Sequence, residues 1–290
     1  MPLKTSILGT IISIAVGIIV ALATSHNSIN FFGFPLLIIC FIYCYLIHWI
    51  FFIHGYVNQT EHYFDAIGSV TFVSLSVLLI FVIQDFYAFL ICSLVAIWSL
   101  RLGSFLFKRV KKAGRDTRFI EMKKDFFWFF LTWNLSALWV FLSYVAGIVA
   151  VTSKYSYELS FTEIIFCIFG FFVWLTGFLI EVIADNQKKK FKENIKNKDQ
   201  FISHGLWSWS RHPNYFGEII LWLGISIIAF PIFRGWDYIA LISPIFVYYL
   251  LVNVSGIPML EKAADAKWGK DENYIAYKNK TNILFLRKPK

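Results

Sequence analysis

Eight apolar runs, near residues 7–23, 34–53, 64–83, 86–107, 126–151, 160–183, 214–233 and 237–257, dominate this chain. Each approaches the ~20 residues an α-helix needs to cross the hydrocarbon of a bilayer. Only helices and closed barrels satisfy their backbone polar groups there, so the expected fold is an all-α integral membrane protein of about eight spans. Composition agrees: with 58% hydrophobic and 16% charged residues, the chain has too few charges to cover the surface of a soluble domain. A soluble globular enzyme and a disordered chain are both excluded. The seventh and eighth runs are short and parted by Pro231, and read either as two spans or as a tight helical hairpin. The first run is followed by Thr24-Ser25-His26-Asn27, a poor cleavage site for a signal peptide, and reads as a span. No internal repeat, low-complexity segment or long Gly/Pro linker interrupts what reads as one integral domain.

The basic residues then set an expected orientation. Lys108, Arg109, Lys111, Lys112, Arg115, Arg118, Lys123 and Lys124 crowd the loop after the fourth run. Lys188, Lys189, Lys190, Lys192, Lys196, Lys198 and Arg211 follow the sixth, and the C-terminal tail carries Lys262, Lys267, Lys270, Lys278, Lys280, Arg287, Lys288 and Lys290. The opposite side holds only Lys154 and Arg234. Lysine and arginine are retained in the cytoplasm, so eight spans place both termini inside. The net charge of +9 is accounted for by this asymmetry and by anionic headgroups; it calls for no nucleic-acid partner. The expected location is a bacterial inner membrane, or the endoplasmic reticulum in a eukaryote. Nothing in the sequence indicates an oligomeric state.

Ionisable residues at membrane depth are costly unless they are paired or line a cavity. Here Glu61 and Asp65 lie four apart at the mouth of the third run, and Arg101 lies in the fourth with Trp98 one turn before it. Glu181 and Asp185 repeat the four-residue spacing at the end of the sixth, Glu218 opens the seventh and Glu261 follows the eighth. Each alone can be a charge hydrated at headgroup level, and Glu61 a first-turn helix charge. Together, and with Arg211, His212 and Asn214, they suggest a polar pocket facing the cytoplasm. A pore would need polar residues in both leaflets, and the outer one is bare. Cys40, Cys44, Cys92 and Cys167 sit inside apolar runs without metal-type spacing, and read as buried thiols. No metal site is expected.

The densest chemical signal is the segment Gly205 to Glu218, GLWSWSRHPNYFGE. Pro213 disfavours helix at His212 and suits a helix start. The free amides of the next turn, with Arg211 before them, make a ready anion site. Gly217 would let another backbone or a flat ring approach closely. Trp207, Trp209 and Tyr215 read either as pocket walls or as an interfacial aromatic belt, and His212 either as a proton donor or as a structural hydrogen-bonder. After Pro258, the spacing of Trp268, Tyr274 and Tyr277 suggests a short amphipathic C-terminal helix lying on the membrane.

ADNQKKKFK (184–192), HGLWSWSRHPNYFGE (204–218) and SGIPMLEKAADAKWGKDENYIAYKNKT (255–281) resemble the steroid 5α-reductase-like membrane family, most closely its largely uncharacterised bacterial branch. TEHYFDAIGS (60–69) and RLGSFLFKRVKKAGRDTRF (101–119) resemble the N-terminal half of that branch. The likeness covers residues 58–285, leaving 1–57 as N-terminal transmembrane helices and 286–290 as a basic tail. The RHP-x-Y element alone is shared with isoprenylcysteine and phospholipid methyltransferases.

The resemblance implies a membrane reductase that takes hydride from NADPH bound in a cytoplasm-facing pocket, and acts on a lipophilic substrate drawn from the bilayer. Asp185, Lys189, Lys192, Asn214 and Glu218 align with cofactor-contacting positions of the family, and Arg101, Arg211, His212 and Tyr215 join them as candidates. Carboxylates suit ribose hydroxyls or the nicotinamide amide, and lysines suit the phosphates. Hydride addition to the β-carbon of an enone needs an acid at the carbonyl oxygen. The relatives use a glutamate and a tyrosine; the glutamate falls at Asp65 or Glu61 here, Asp65 being deeper. A carboxyl desolvated at a membrane interface can stay protonated and donate. The expected tyrosine position holds Trp98, whose indole N–H donates one hydrogen bond but no proton. Ser136-Ala137 likewise stands where the bacterial branch has Gln-Gly. Reduction of a steroid-like or isoprenoid enone is the leading expectation. Methyl transfer from S-adenosylmethionine to a lipid or prenylated thiol, and a non-catalytic lipid-binding role, are the alternatives.

Overall fold

The computed structural model describes residues 2–113, 119–155 and 159–288. Of the basic residues above, Arg115, Arg118 and Lys290 lie outside the described residues, as do the side chains of Arg109 and Lys112. The described chain is helical almost throughout. Helix α1 (Leu3–Thr24) is followed by a short antiparallel hairpin, β1 (Asn30–Phe31) and β2 (Phe34–Pro35), then α2 (Leu36–Val57), α3 (Phe64–Ile83), α4 (Phe86–Ala113) and α5 (Phe126–Thr152). After these come α6 (Phe161–Glu193), α7 (Pro213–Ala229), α8 (Ile242–Tyr249), α9 (Ile257–Trp268) and α10 (Glu272–Lys280). Among the described residues, eight helical segments are long and apolar enough to cross a membrane. The chain is a multi-pass, all-α membrane protein.

Two compact units can be distinguished, residues 1–164 with 228–242 and residues 165–227 with 243–290. In the first, α5 is the core element: its apolar window is 83% buried, against 28–44% for α1 to α4, which pack around it. Because lipid is as apolar as leucine, helices in a membrane hold together through close packing and polar ties rather than through the hydrophobic effect. Both devices are present. A Cβ on Gly68 of α3 would stand 3.0 Å from the Trp139 ring of α5. His48 of α2 meets Ser136 Oγ at 3.1 Å, Trp49 donates to Asn134 Oδ1 at 3.1 Å, and the Tyr144 hydroxyl lies 3.0 Å from Ser76 Oγ and 3.1 Å from Cys92 Sγ. All four cysteines are buried, and none is joined in a disulfide.

The second unit contains most of α6, α7 to residue 227, and α8 to α10. Glycines seven apart on each helix, Gly170 and Gly177 on α6 and Gly217 and Gly224 on α7, form two facing stripes. A Cβ at Gly217 would fall 2.6 Å from Gly177 O and 2.7 Å from Glu181 N, and one at Gly224 2.5 Å from Trp174 N. The close approach expected at Gly217 is therefore that of the α6 backbone.

Three boundaries differ from expectation. Helix α6 continues to Glu193, ten residues beyond its apolar run, because Ala184, Gln187 and the lysines after it are good helix formers that need no lipid. The eighth run is not one helix. A 3-10 segment opens two residues before it, at Gly235, whose φ of +56° only glycine adopts without strain; the chain then becomes α8 and passes into a π turn at Leu250–Val254. The C-terminal tail holds two helices, and its aromatic residues face inward rather than onto the membrane: Trp268, Tyr274 and Tyr277 lie with ring centroids 5.3–6.0 Å from that of Phe201. Three rings sharing one partner are desolvated at once, which an exposed face does not achieve.

Candidate functional site

Helix α6 and the segment after it build the site of the second unit. Glu181, Asp185 and, from α7, Glu218 are 2%, 5% and 8% exposed; the glycine contact sets Glu218, next to Gly217, at the level of Glu181. Further along α6, Lys188 stands 4.5 Å over the Trp207 ring, and Lys189, Lys190 and Lys192 are exposed. Trp207 donates its indole N–H to Ala184 O at 3.0 Å and is buried, which makes it a wall of this unit rather than part of a lipid-facing belt. Gln187 Oε1 accepts from Leu206 N at 3.0 Å, made possible by Gly205 at φ +62° directly against the Gln187 amide.

The RHP segment is held from the other side by the C-terminal tail. Ser210 Oγ donates to Leu284 O at 2.7 Å and accepts from His212 N at 3.1 Å, and Arg211 N donates to Asn282 O at 2.8 Å. Pro213 then begins α7, as its fixed φ favours. So held, Arg211 and His212 reach Glu261 of α9 together. Arg211 Nη1 donates to one carboxylate oxygen at 2.5 Å, and His212 Nε2 meets the other at 2.9 Å; Lys278 lies 3.7 Å away and bonds Asp265 at 2.6 Å. The Tyr215 ring stacks nearly parallel to that of His212, with centroids 5.7 Å apart.

Burial pushes the His212 imidazole below its ordinary pKa, and the hydrogen bond to Glu261 opposes this only in part. A neutral imidazole facing a carboxylate must carry its hydrogen on Nε2, since the carboxylate only accepts. Nδ1 is then a bare acceptor. It is buried and without a hydrogen-bond partner among the described residues, and so is Arg211 Nε. An unmet buried donor and an unmet buried acceptor on adjacent residues cost free energy unless something fills them. A polar ligand bearing both kinds of group fits that need.

Lys189 and Lys192 are exposed, and Asn214 and Tyr215 half-buried, on the same unit. Glu261 was not among the candidate residues for cofactor or catalysis; the structure adds it as the common partner of Arg211 and His212. The remaining candidates belong to the first unit. Glu61 is buried and takes Lys123 Nζ at 2.6 Å. Asp65 is half-buried in the first turn of α3. Trp98 is 1% exposed, edge-on to Phe72 at 5.3 Å, and Arg101 lies 5.6 Å from the Phe105 ring.

The fold and the cluster at the start of α7 define a polytopic helical membrane protein with a partly buried arginine–histidine–glutamate constellation beside a lysine-rich helix end. The chain belongs to the family described as protein of unknown function DUF1295, whose model matches residues 51–281. These are membrane proteins related to steroid 5α-reductases and methyltransferases. A stretch of 77 residues, 24% of the chain, is 30% identical to a probable O-methyltransferase, ustE, of Ustilaginoidea virens. That stretch spans 27% of the relative's own length. No solved structure matches the chain.

Proposed function

We propose that this chain is a membrane-embedded reductase that uses NADPH to reduce an activated carbon–carbon double bond of a steroid-like or isoprenoid lipid. The observation that carries this reading is the order of groups along α6: buried Glu181 and Asp185, then Lys188, Lys189, Lys190 and Lys192 within the next two turns. Carboxylates accept from ribose hydroxyls and the nicotinamide amide, while lysines match a pyrophosphate and a 2′-phosphate. S-adenosylmethionine carries no phosphate for these lysines to meet. The unmet Arg211 Nε–H and His212 Nδ1 suit an oxygen acceptor and an N–H or O–H donor of the same ligand. NADPH supplies a hydride when bound; the acid needed at the substrate's carbonyl oxygen is assigned to Asp65. Glu61 is engaged by Lys123, an ion pair rather than a proton donor, and Trp98 contributes at most one hydrogen bond. The basic loops support a site facing the cytoplasm, with the substrate entering from the bilayer.

The likeness to a probable O-methyltransferase favours a second reading, methyl transfer from S-adenosylmethionine. Thermal-shift titration of the detergent-purified chain with NADPH, NADH and S-adenosylmethionine separates the two. Stabilisation by NADPH alone is expected; stabilisation by S-adenosylmethionine alone overturns the reductase reading.

A further inference from the structure

The first unit carries a groove of about 360 Å³ between α3 and α4, lined by Ala66, Ser69, Val70, Val73 and Ser74 on one side and by Ser99, Leu100, Gly103, Ser104 and Phe107 on the other. That volume lies within the ~300–1,000 Å³ typical of small-ligand sites. It forms because small residues let the helices touch at one level: a Cβ on Gly103 would meet Ser69 at 2.5 Å, and Ser99 Oγ donates to Ser69 O at 3.0 Å. Around that contact the pair leaves space. The groove is on the outer side of the pair. Phe72 and Trp98 turn the opposite way and pack against Trp139 of α5, whereas Val70, Leu100 and Phe107 on the groove are 49%, 56% and 40% exposed. In a membrane protein such a surface faces lipid.

Charge decides which lipid. On α4 the lining positions 100, 103, 104 and 107 form one helical stripe, and Lys111 falls on its continuation with Lys108 at its edge. Both lysines are exposed, and the apolar segment of α4 ends at Lys108, so the groove runs into headgroup depth beneath two cations. On α3 the stripe ends at Ala66, with Tyr63 one turn beyond and 46% exposed, a residue suited to the interface. Asp65, four residues before Ser69, lies at the edge of this stripe as Lys108 does on α4, so the mouth carries two lysines against one carboxylate.

We infer that this groove binds one acyl chain of an anionic membrane phospholipid, whose headgroup phosphate rests on Lys108 and Lys111. The inference is independent of the reductase reading, since neither lysine is a candidate for cofactor or substrate chemistry. Native mass spectrometry of the detergent-purified full chain, titrated with phosphatidylglycerol and with phosphatidylcholine, tests it. The first phosphatidylglycerol should bind at least ~10-fold more tightly than the first phosphatidylcholine, each lysine contributing roughly fivefold. The double variant Lys108→Gln/Lys111→Gln should reduce that ratio to below about twofold. Ser74→Phe and Ser104→Phe, each placing a ring in the groove from a helix surface, should remove the tight first site while leaving the thermal midpoint in detergent within a few degrees. Two such variants are used so that failure of one to fold leaves the other. An undiminished ratio in the lysine variant, or tight phosphatidylglycerol binding in every folded Phe variant, overturns the inference.

Discussion

Substituting Gly217 by alanine should separate α6 from α7. The added Cβ would lie 2.6 Å from Gly177 O and 2.7 Å from Glu181 N, both backbone atoms of α6. Carbon contacts are comfortable near ~3.5 Å, so the helices must part by nearly 1 Å along this line. No side chain can turn away to relieve it. Overpacking of this kind costs about 1–3 kcal/mol, and two contacts against rigid backbone place Gly217→Ala at about 3 kcal/mol. For a chain of this size that is a drop of roughly 6–12 °C in the unfolding midpoint. Gly9→Ala is the matched control: its Cβ would meet only the tip of the Leu131 side chain, at 3.1–3.2 Å, which a rotamer change relieves for under about 1 kcal/mol. Tryptophan fluorescence during thermal unfolding in detergent reads both. Because Glu218 and Glu181 shift with the helices, NADPH affinity should fall in Gly217→Ala and not in Gly9→Ala. Equal midpoints for the two variants would refute the argument that the glycine stripe positions the site.

Four further outcomes are expected. Glu261→Gln removes the charge shared by Arg211, His212 and Lys278, and should lower stability by about 2 kcal/mol and weaken NADPH binding measured by fluorescence titration. The pKa of His212 is depressed in the folded chain, so the unfolded state binds more protons below the ordinary value of 6.5; stability should therefore fall as pH drops through that value towards the folded pKa. A His212→Gln variant should flatten that stretch of the midpoint-against-pH curve. Asp65→Asn should slow turnover by ~100-fold or more with NADPH affinity unchanged, whereas Glu61→Gln, which strips the Lys123 ion pair, should cost about 1–2 kcal/mol of stability and leave turnover within a few-fold of wild type. Lys189→Gln/Lys192→Gln should weaken NADPH more than NADH if either lysine serves the 2′-phosphate, a difference that disappears at high salt.

Much of the fold was legible because the bilayer imposes a length on every span. The runs at 64–83 and 86–107 coincide with α3 and the apolar part of α4 to within a residue. Polarity marks the edge of hydrocarbon, not the end of a helix, and for that reason the polar extension of α6 to Glu193 was not readable from hydropathy. The eighth run looked continuous because hydropathy is blind to backbone conformation; within it the chain passes from a 3-10 segment to α8 at Ile242 and into a π turn at Leu250–Val254 without any polar signal.

The RHP segment was recognisable through local chemistry: Pro213 marks a helix start, and Gly217 a close contact. Glu261 was seen as one interfacial carboxylate among several, because nothing in a single sequence links it to Arg211 and His212 about fifty residues away. The inward packing of Trp268, Tyr274 and Tyr277 had the same obstacle. Helical spacing identifies a face but not what covers it, and Phe201, their shared partner, lies in a polar loop with no periodic signal. Sequence favoured Asp65 over Glu61 by depth alone and set both on one helical face; the structure begins α3 at Phe64, leaves Glu61 before the helix and puts Lys123 beside it.

The most direct test of the reductase reading follows the transferred group itself. The purified chain would be incubated with a lipid extract, NADPH deuterated at the hydride position and methyl-labelled S-adenosylmethionine together, and the lipids analysed by mass spectrometry. The account predicts deuterium bound to carbon in a lipid that has lost one double bond, and no label from S-adenosylmethionine. A lipid carrying the labelled methyl group and no deuterium would contradict it.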